Sequence, residues 1–192
     1  MKLLLALALS FTALFSCSAA PPSSTSPGKE PGADEYAEFI RLVKETGGKF
    51  DDRHLAALRK AATRGHPVSQ GALGVYLTTE SGRIDPEAFT EGVSWLKKVE
   101  HLDKPEVDTA VFALSLCYLC GTGTQQDIER GGALLARTAV RGNSDMKMAY
   151  AEFLHGIKND LAGAKAIWSE VAKDASNPEA QQEAKELLRT LK

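Results

Sequence analysis

The chain has 192 residues, of which 43% are hydrophobic and 25% charged, with a formal net charge of −2; this allows one domain with a substantial core. Lys and Arg form no basic block, and duplex binding draws most of its affinity from such residues neutralising phosphates, so no nucleic-acid partner is expected. Beyond the N-terminus no apolar run reaches the length of a membrane span.

In chain order, Met1-Lys2 gives a positive start and Leu3 to Phe15 an apolar run broken only by Ser10 and Thr12. That run has the length and shape of a signal-peptide core. It ends in Leu14-Phe15-Ser16-Cys17, which resembles the bacterial lipobox, although a residue smaller than Phe15 is usual there. The resemblance implies a leader over 1–16, acylation of Cys17 and a mature charge of −3 once Lys2 is lost. Ser18, rather than Asp, follows the cysteine, which by that family's sorting rule points to the periplasmic side of a Gram-negative outer membrane. Ordinary cleavage after Ser18 is the alternative. The stretch Ser18 to Ala33 is rich in Pro, Ser and Gly without apolar periodicity. With Cys17 it reads as a tether over 17–33 that reaches roughly 20–25 Å as a coil. The membrane is thus expected to be touched only through the lipid.

From residue 34 to 192 apolar residues recur at helical spacing between short polar breaks. The pattern predicts about nine helices, near 34–46, 52–65, 68–79, 86–101, 106–120, 127–141, 144–156, 160–174 and 177–191. Asp85-Pro86 and Asn177-Pro178 each place a capping side chain before a proline at the first helical position. Gly65 and Gly142 fit helix ends.

The helices repeat. Ala61-Ala62-Thr63-Arg64-Gly65 aligns with Thr138-Ala139-Val140-Arg141-Gly142, and Gly92-x-x-Trp95 aligns with Gly131-x-x-Leu134 and Ala164-x-x-Ile167. Such stacked units are the signature of a solenoid. The unit from Ala110 to Gly142 carries Ala110, Leu114, Ser115, Tyr118, Gly121, Gly123, Asp127, Gly131, Leu134, Thr138 and Ala139. These positions resemble the Sel-one-like repeat, a tetratricopeptide-like helix pair. The resemblance covers most of 52–174, is strongest in this unit, and implies an all-α, right-handed α-solenoid of helix pairs. Small residues at 110, 115, 131 and 139 would let helices approach closely, Gly121 and Gly123 would permit the turn, and Asp127 would cap the second helix.

Catalytic motifs are scarce, and no enzyme activity, cofactor or metal is expected. His54, His66, His101 and His155 lack ligand spacing and read as surface or helix-end residues. Gly121-Thr-Gly-Thr-Gln-Gln126 follows a helix rather than a strand, so it reads as a turn and not a dinucleotide loop. Ser94-Trp-Leu-Lys97 and Ser144-Asp-Met-Lys147 match the Ser-x-x-Lys pattern of penicillin-binding enzymes without its companion motifs. Cys117 and Cys120 lie in the last turn of a helix, where the dipole opposes a thiolate. Two readings stand for them: buried apolar packing, or a local disulfide formed in an oxidising periplasm.

The segment from Ala110 to Cys120 is apolar on nearly every face. One reading buries it on all sides. The other exposes Phe112, Leu116 and Leu119, which fall off the repeat's core positions, as a partner groove with Tyr76 and Phe153, tuned by Glu152. Repeat lipoproteins of this type resemble immunity proteins that neutralise lipase effectors of type VI secretion, so a secreted lipase is the expected partner. An envelope scaffold or regulator, in polysaccharide export or signalling, and a weak penicillin-interacting enzyme are the alternatives.

Overall fold

The computed structural model describes residues 30–47, 49–81 and 85–191. The readings of the leader, of the lipidated Cys17 and of most of the tether fall outside them. Among the described residues there are nine α-helices and no strand, and no helix is long and apolar enough to cross a membrane. Two compact units divide between Ala113 and Leu114.

The first unit holds α1 (Ala33–Glu45), α2 (Asp52–Thr63), α3 (Pro67–Tyr76), α4 (Pro86–Val99) and the opening of α5 (Asp108–Cys120). A π-helical turn over Leu77–Ser81 extends α3, and a 3-10 turn over Pro105–Val107 precedes α5. Phe39, Leu58, Ala62, Leu73 and Leu77 form a core cluster, with Tyr36, Phe50, Tyr76 and Trp95 packed on its margin. The second unit holds the rest of α5, α6 (Ile128–Ala139), α7 (Ser144–Gly156), α8 (Leu161–Val171) and α9 (Pro178–Thr190). Here Met148, Ala151, Ala164, Trp168, Val171, Ala180 and Ala184 cluster. The alanines admit close helix approach, and the large Trp168 ring fills the space between them.

Local chemistry starts most of these helices. Asp85 accepts from the Glu87 amide (2.9 Å), Asp127 from Arg130 (2.9 Å), Asn143 from Met146 (3.1 Å), Asp160 from Gly163 (2.8 Å) and Asn177 from Ala180 (3.1 Å). Each bond satisfies an amide that the helix itself cannot, worth about 1 kcal/mol. Pro67, Pro86 and Pro178 take the first helical position, where no N–H is needed. Gly65 ends α2 at φ 98°, a left-handed backbone that a side chain resists.

Candidate functional site

The repeat geometry is visible in the second unit. A Cβ placed on Gly131 of α6 would lie 2.9 Å from the Ser115 carbonyl oxygen and 2.8 Å from Leu119 Cγ, so the helices meet backbone to backbone there. The turn before α6 closes through Gly121 (φ 69°) and Gly123 (φ 67°). Its amides are anchored by Thr122 N–H to the Cys117 carbonyl (3.1 Å) and Asp127 N–H to the Tyr118 carbonyl (2.9 Å). Arg130 then stacks over the Tyr118 ring at 4.8 Å. Ser115, Gly131, the two turn glycines and the Asp127 cap take the places expected from the sequence.

The partner residues fare differently. Leu116 (5% exposed), Leu119 (7%) and Phe153 (4%) are buried, which corrects the expectation that they face an open groove. Leu119 rests on Gly131, and the far edge of the Phe153 ring sits over Gly132, where a Cβ would come within 2.2 Å of Cζ. The adjacent glycines leave hollows that these side chains fill. The Gly131-Gly132 pair is the sequence signal for the burial of Leu119 and Phe153. Phe112, Tyr76 and Glu152 remain half-buried.

A second apolar feature lies in the first unit. Phe50, in the loop between α1 and α2, packs its ring against Tyr76 at 4.9 Å. Trp95 of α4 borders the same core cluster. All three are half-buried. Trp95 Nε1 donates to Glu91 Oε1 (3.0 Å), Glu91 also accepts from Arg59, and Lys98 lies over the indole at 4.4 Å. The Arg59 bonds hold the Glu91 carboxyl below its ordinary pKa, with the indole bond adding to the effect. Phe50 and Trp95 were not singled out in the sequence, because one sits in a loop and the other at a repeat core position.

The Ser-x-x-Lys pairs are not arranged for acyl transfer. Ser144 is 2% exposed and donates to Asp174 Oδ2 at 2.5 Å. That bond, reinforced by the Ser176 amide, holds the Asp174 carboxyl down at about 2. Lys147 pairs with Glu170, and the Ser144 hydroxyl is bonded to Asp174 rather than to that amine. These residues border a shallow cavity of about 260 Å³ with Val171 and Lys173. Ser94 donates to the Glu91 carbonyl (2.6 Å) within its own helix. No disulfide joins Cys117, which is buried, to Cys120, which is exposed. Side chains three apart on a helix point about 60° apart around its axis, and here only one thiol faces inward, so neither the disulfide nor the fully buried pair describes them.

His54 and His66 do sit at helix starts, but both are buried rather than on the surface. His54 belongs to a capping box with Asp51, with its Nδ1 2.8 Å from Asp51 Oδ1, and it stacks on Phe50 at 5.3 Å. Among the described residues no group of three His, Cys, Asp or Glu side chains could hold a metal ion.

Comparison with solved structures places this geometry. A crystal structure of a protective antigen of uropathogenic Escherichia coli strains, described as displaying an SLR fold, matches with a TM-score of 0.60 at 19% identity over 82% of this chain. The chain has the Sel-one-like repeat fold. The all-α helix-pair architecture expected from the sequence therefore holds, and this chain spans 37% of that antigen's length. No family model and no curated protein matches the sequence.

Proposed function

We propose that this chain is a non-enzymatic protein-binding repeat domain, held at the periplasmic side of the outer membrane by a lipid on Cys17. The observation that carries the binding role is the half-buried aromatic set Phe50, Tyr76 and Trp95, each backed by one rigid core cluster. Large aromatic side chains presented on a preorganised helical scaffold give contact area at low entropic cost and dominate many protein interfaces. Of the residues named from the sequence, Tyr76 belongs to this set and Phe112 is half-buried. The engaged hydroxyls of Ser94 and Ser144 favour binding over acyl chemistry.

The finer reading is an immunity protein whose partner is a lipase-type effector of type VI secretion. It rests on the lipobox resemblance together with the repeat fold: an anchored clamp would meet such a toxin beside the phospholipids it attacks. The test pairs Tyr76→Ala and Trp95→Ala with an effector lipase encoded beside this gene. Each variant should keep its helical spectrum, weaken lipase binding about tenfold or more and leave cells sensitive to the toxin. Undiminished binding and protection in both variants would remove the aromatic set from the interface, and failure of the wild-type domain to bind the lipase would end the immunity reading.

A further inference from the structure

The charge pairs on the helix surfaces and the cavity beside Ser144 are internally satisfied. His66 differs, because a buried titratable ring seats the turn that leads into α1. The ring is 4% exposed. Its Nδ1 accepts the Ser69 amide of α3 (3.3 Å) and lies 2.9 Å from Ser69 Oγ. Accepting at Nδ1 requires the neutral imidazole with its proton on Nε2. The opposite edge, Nε2, faces Glu30 Oε2 at 3.8 Å. One flat face stacks on Tyr36 of α1 at 4.2 Å.

The entry turn rests on this ring. Gly32 adopts φ 76° and packs so closely that a Cβ there would lie 2.6 Å from the Ala61 carbonyl and 3.0 Å from His66 Cβ. Its own carbonyl accepts the Tyr36 amide (3.0 Å), an early hydrogen bond of α1. One imidazole thus contacts the entry turn and α1 while capping α3.

We propose that His66 is an acid-sensitive latch: protonation of its imidazole releases the entry turn and α1 from the corner between α2 and α3. A protonated ring carries hydrogens on both nitrogens, so Nδ1 can no longer accept the Ser69 amide and the cap of α3 is lost. The groups facing the ring do not compensate. Glu30 is the nearest carboxylate, half exposed, and Lys104 reaches its other oxygen at 3.7 Å. Arg64, at the end of α2, is engaged by Glu35 at 3.0 Å. Tyr36 and Ser69 are neutral. Burial, opposed by Glu30 and aided by Lys104, sets the His66 pKa below its ordinary value. The sign follows. The unfolded chain takes up this proton first as pH falls through about 6.5. Stability from the neutral ring is therefore complete above that value, declines as pH drops below it, and stops declining beneath the folded-state pKa.

The experiment is hydrogen–deuterium exchange at pH 7.5 and 5.0, corrected for intrinsic exchange, with the ring signals of the same protein titrated by NMR. Peptides over 30–45 should lose protection severalfold more than peptides over 178–190 on acidification. His66→Asn keeps a capping acceptor that does not titrate and should abolish that difference. The proposal is overturned if His66→Asn retains it, or if the His66 ring titrates at or above 6.5. Should His66→Asn fail to fold, the NMR titration of the unaltered protein decides alone.

Discussion

Gly92 in the first unit and Gly131 in the second align in the repeat, and each lets a helix meet its neighbour at backbone distance. They meet different partners. Gly92 faces Gly74, so that a Cβ on either residue would lie 3.0 Å from the other's carbonyl oxygen. Gly131 faces Ser115, with Leu119 beside it. The connections differ more. In the second unit two left-handed glycines turn the chain after α5. In the first, α3 widens into the π turn, where Thr78 and Thr79 hydroxyls donate back to the Gly74 and Val75 carbonyls at 2.8 to 3.0 Å. The crossing is the element both units share, and the turn is the part that varies. The crossing depends on backbone distance, which tolerates almost no substitution, whereas a turn has several backbone solutions.

The largest effect that would break this comparison is Leu116→Glu. A carboxylate at a position only 5% exposed should cost on the order of 4 kcal/mol or more and abolish the cooperative thermal transition of the second unit, followed by circular dichroism. An unchanged melting curve would mean that Leu116 is not core. Gly131→Leu comes next, because its side chain must displace the Ser115 backbone. A loss of roughly 3 kcal/mol or more is expected, and Gly92→Leu should behave alike if the two crossings are equivalent. A near-normal melting temperature for either would separate them.

Gly132→Ala should cost about 1–3 kcal/mol by pushing the Phe153 ring off its seat. Adding Phe153→Leu should recover part of that loss, which a double-mutant cycle in urea would register. Asp85→Ala and Asp127→Ala test the caps at matching places in the two units. Each should lose about 1 kcal/mol, and a difference well beyond that would show one turn to depend on its cap more than the other. The smallest effect concerns acid. The Asp174 carboxyl is held down at about 2 by Ser144, so its contribution is present above the ordinary carboxylate range and lost as pH falls from about 4 toward 2. Ser144→Ala should flatten the dependence of stability on pH in that window, lowering the urea midpoint at pH 4 and above while leaving the midpoint at pH 2.5 closer to that of the unaltered protein.

Much of the fold was legible in the residues because its signals are local. A capping side chain before proline, a glycine after a helix and apolar spacing near 3.6 act within a few positions, and all nine helices lie within a few residues of the predicted spans. The Gly-x-Gly turn and Asp127 cap were equally readable. The candidate site was not. Leu116, Leu119 and Phe153 depart from the repeat's core pattern and so read as exposed, yet all three are buried, and the hollows that Leu119 and Phe153 fill are made by Gly131 and Gly132 on a different helix. The half-buried Phe50 carries no local signal, because its packing on Tyr76 joins a loop to the end of α3.

The sequence by itself determined the helices of the described residues, their starts and the small residues that permit close crossings, since hydrogen-bonded ends and apolar periodicity are short-range properties of the chain. The tertiary structure alone decided which apolar side chains are covered and how the imidazoles of His54 and His66 are held. Burial is set by atoms far apart in the chain, and a histidine's role depends on which groups meet its two nitrogens. Ser69, three residues along, could be read as a partner for His66, whereas Tyr36 and Glu30 reach the ring only once α1 has folded against α2 and α3.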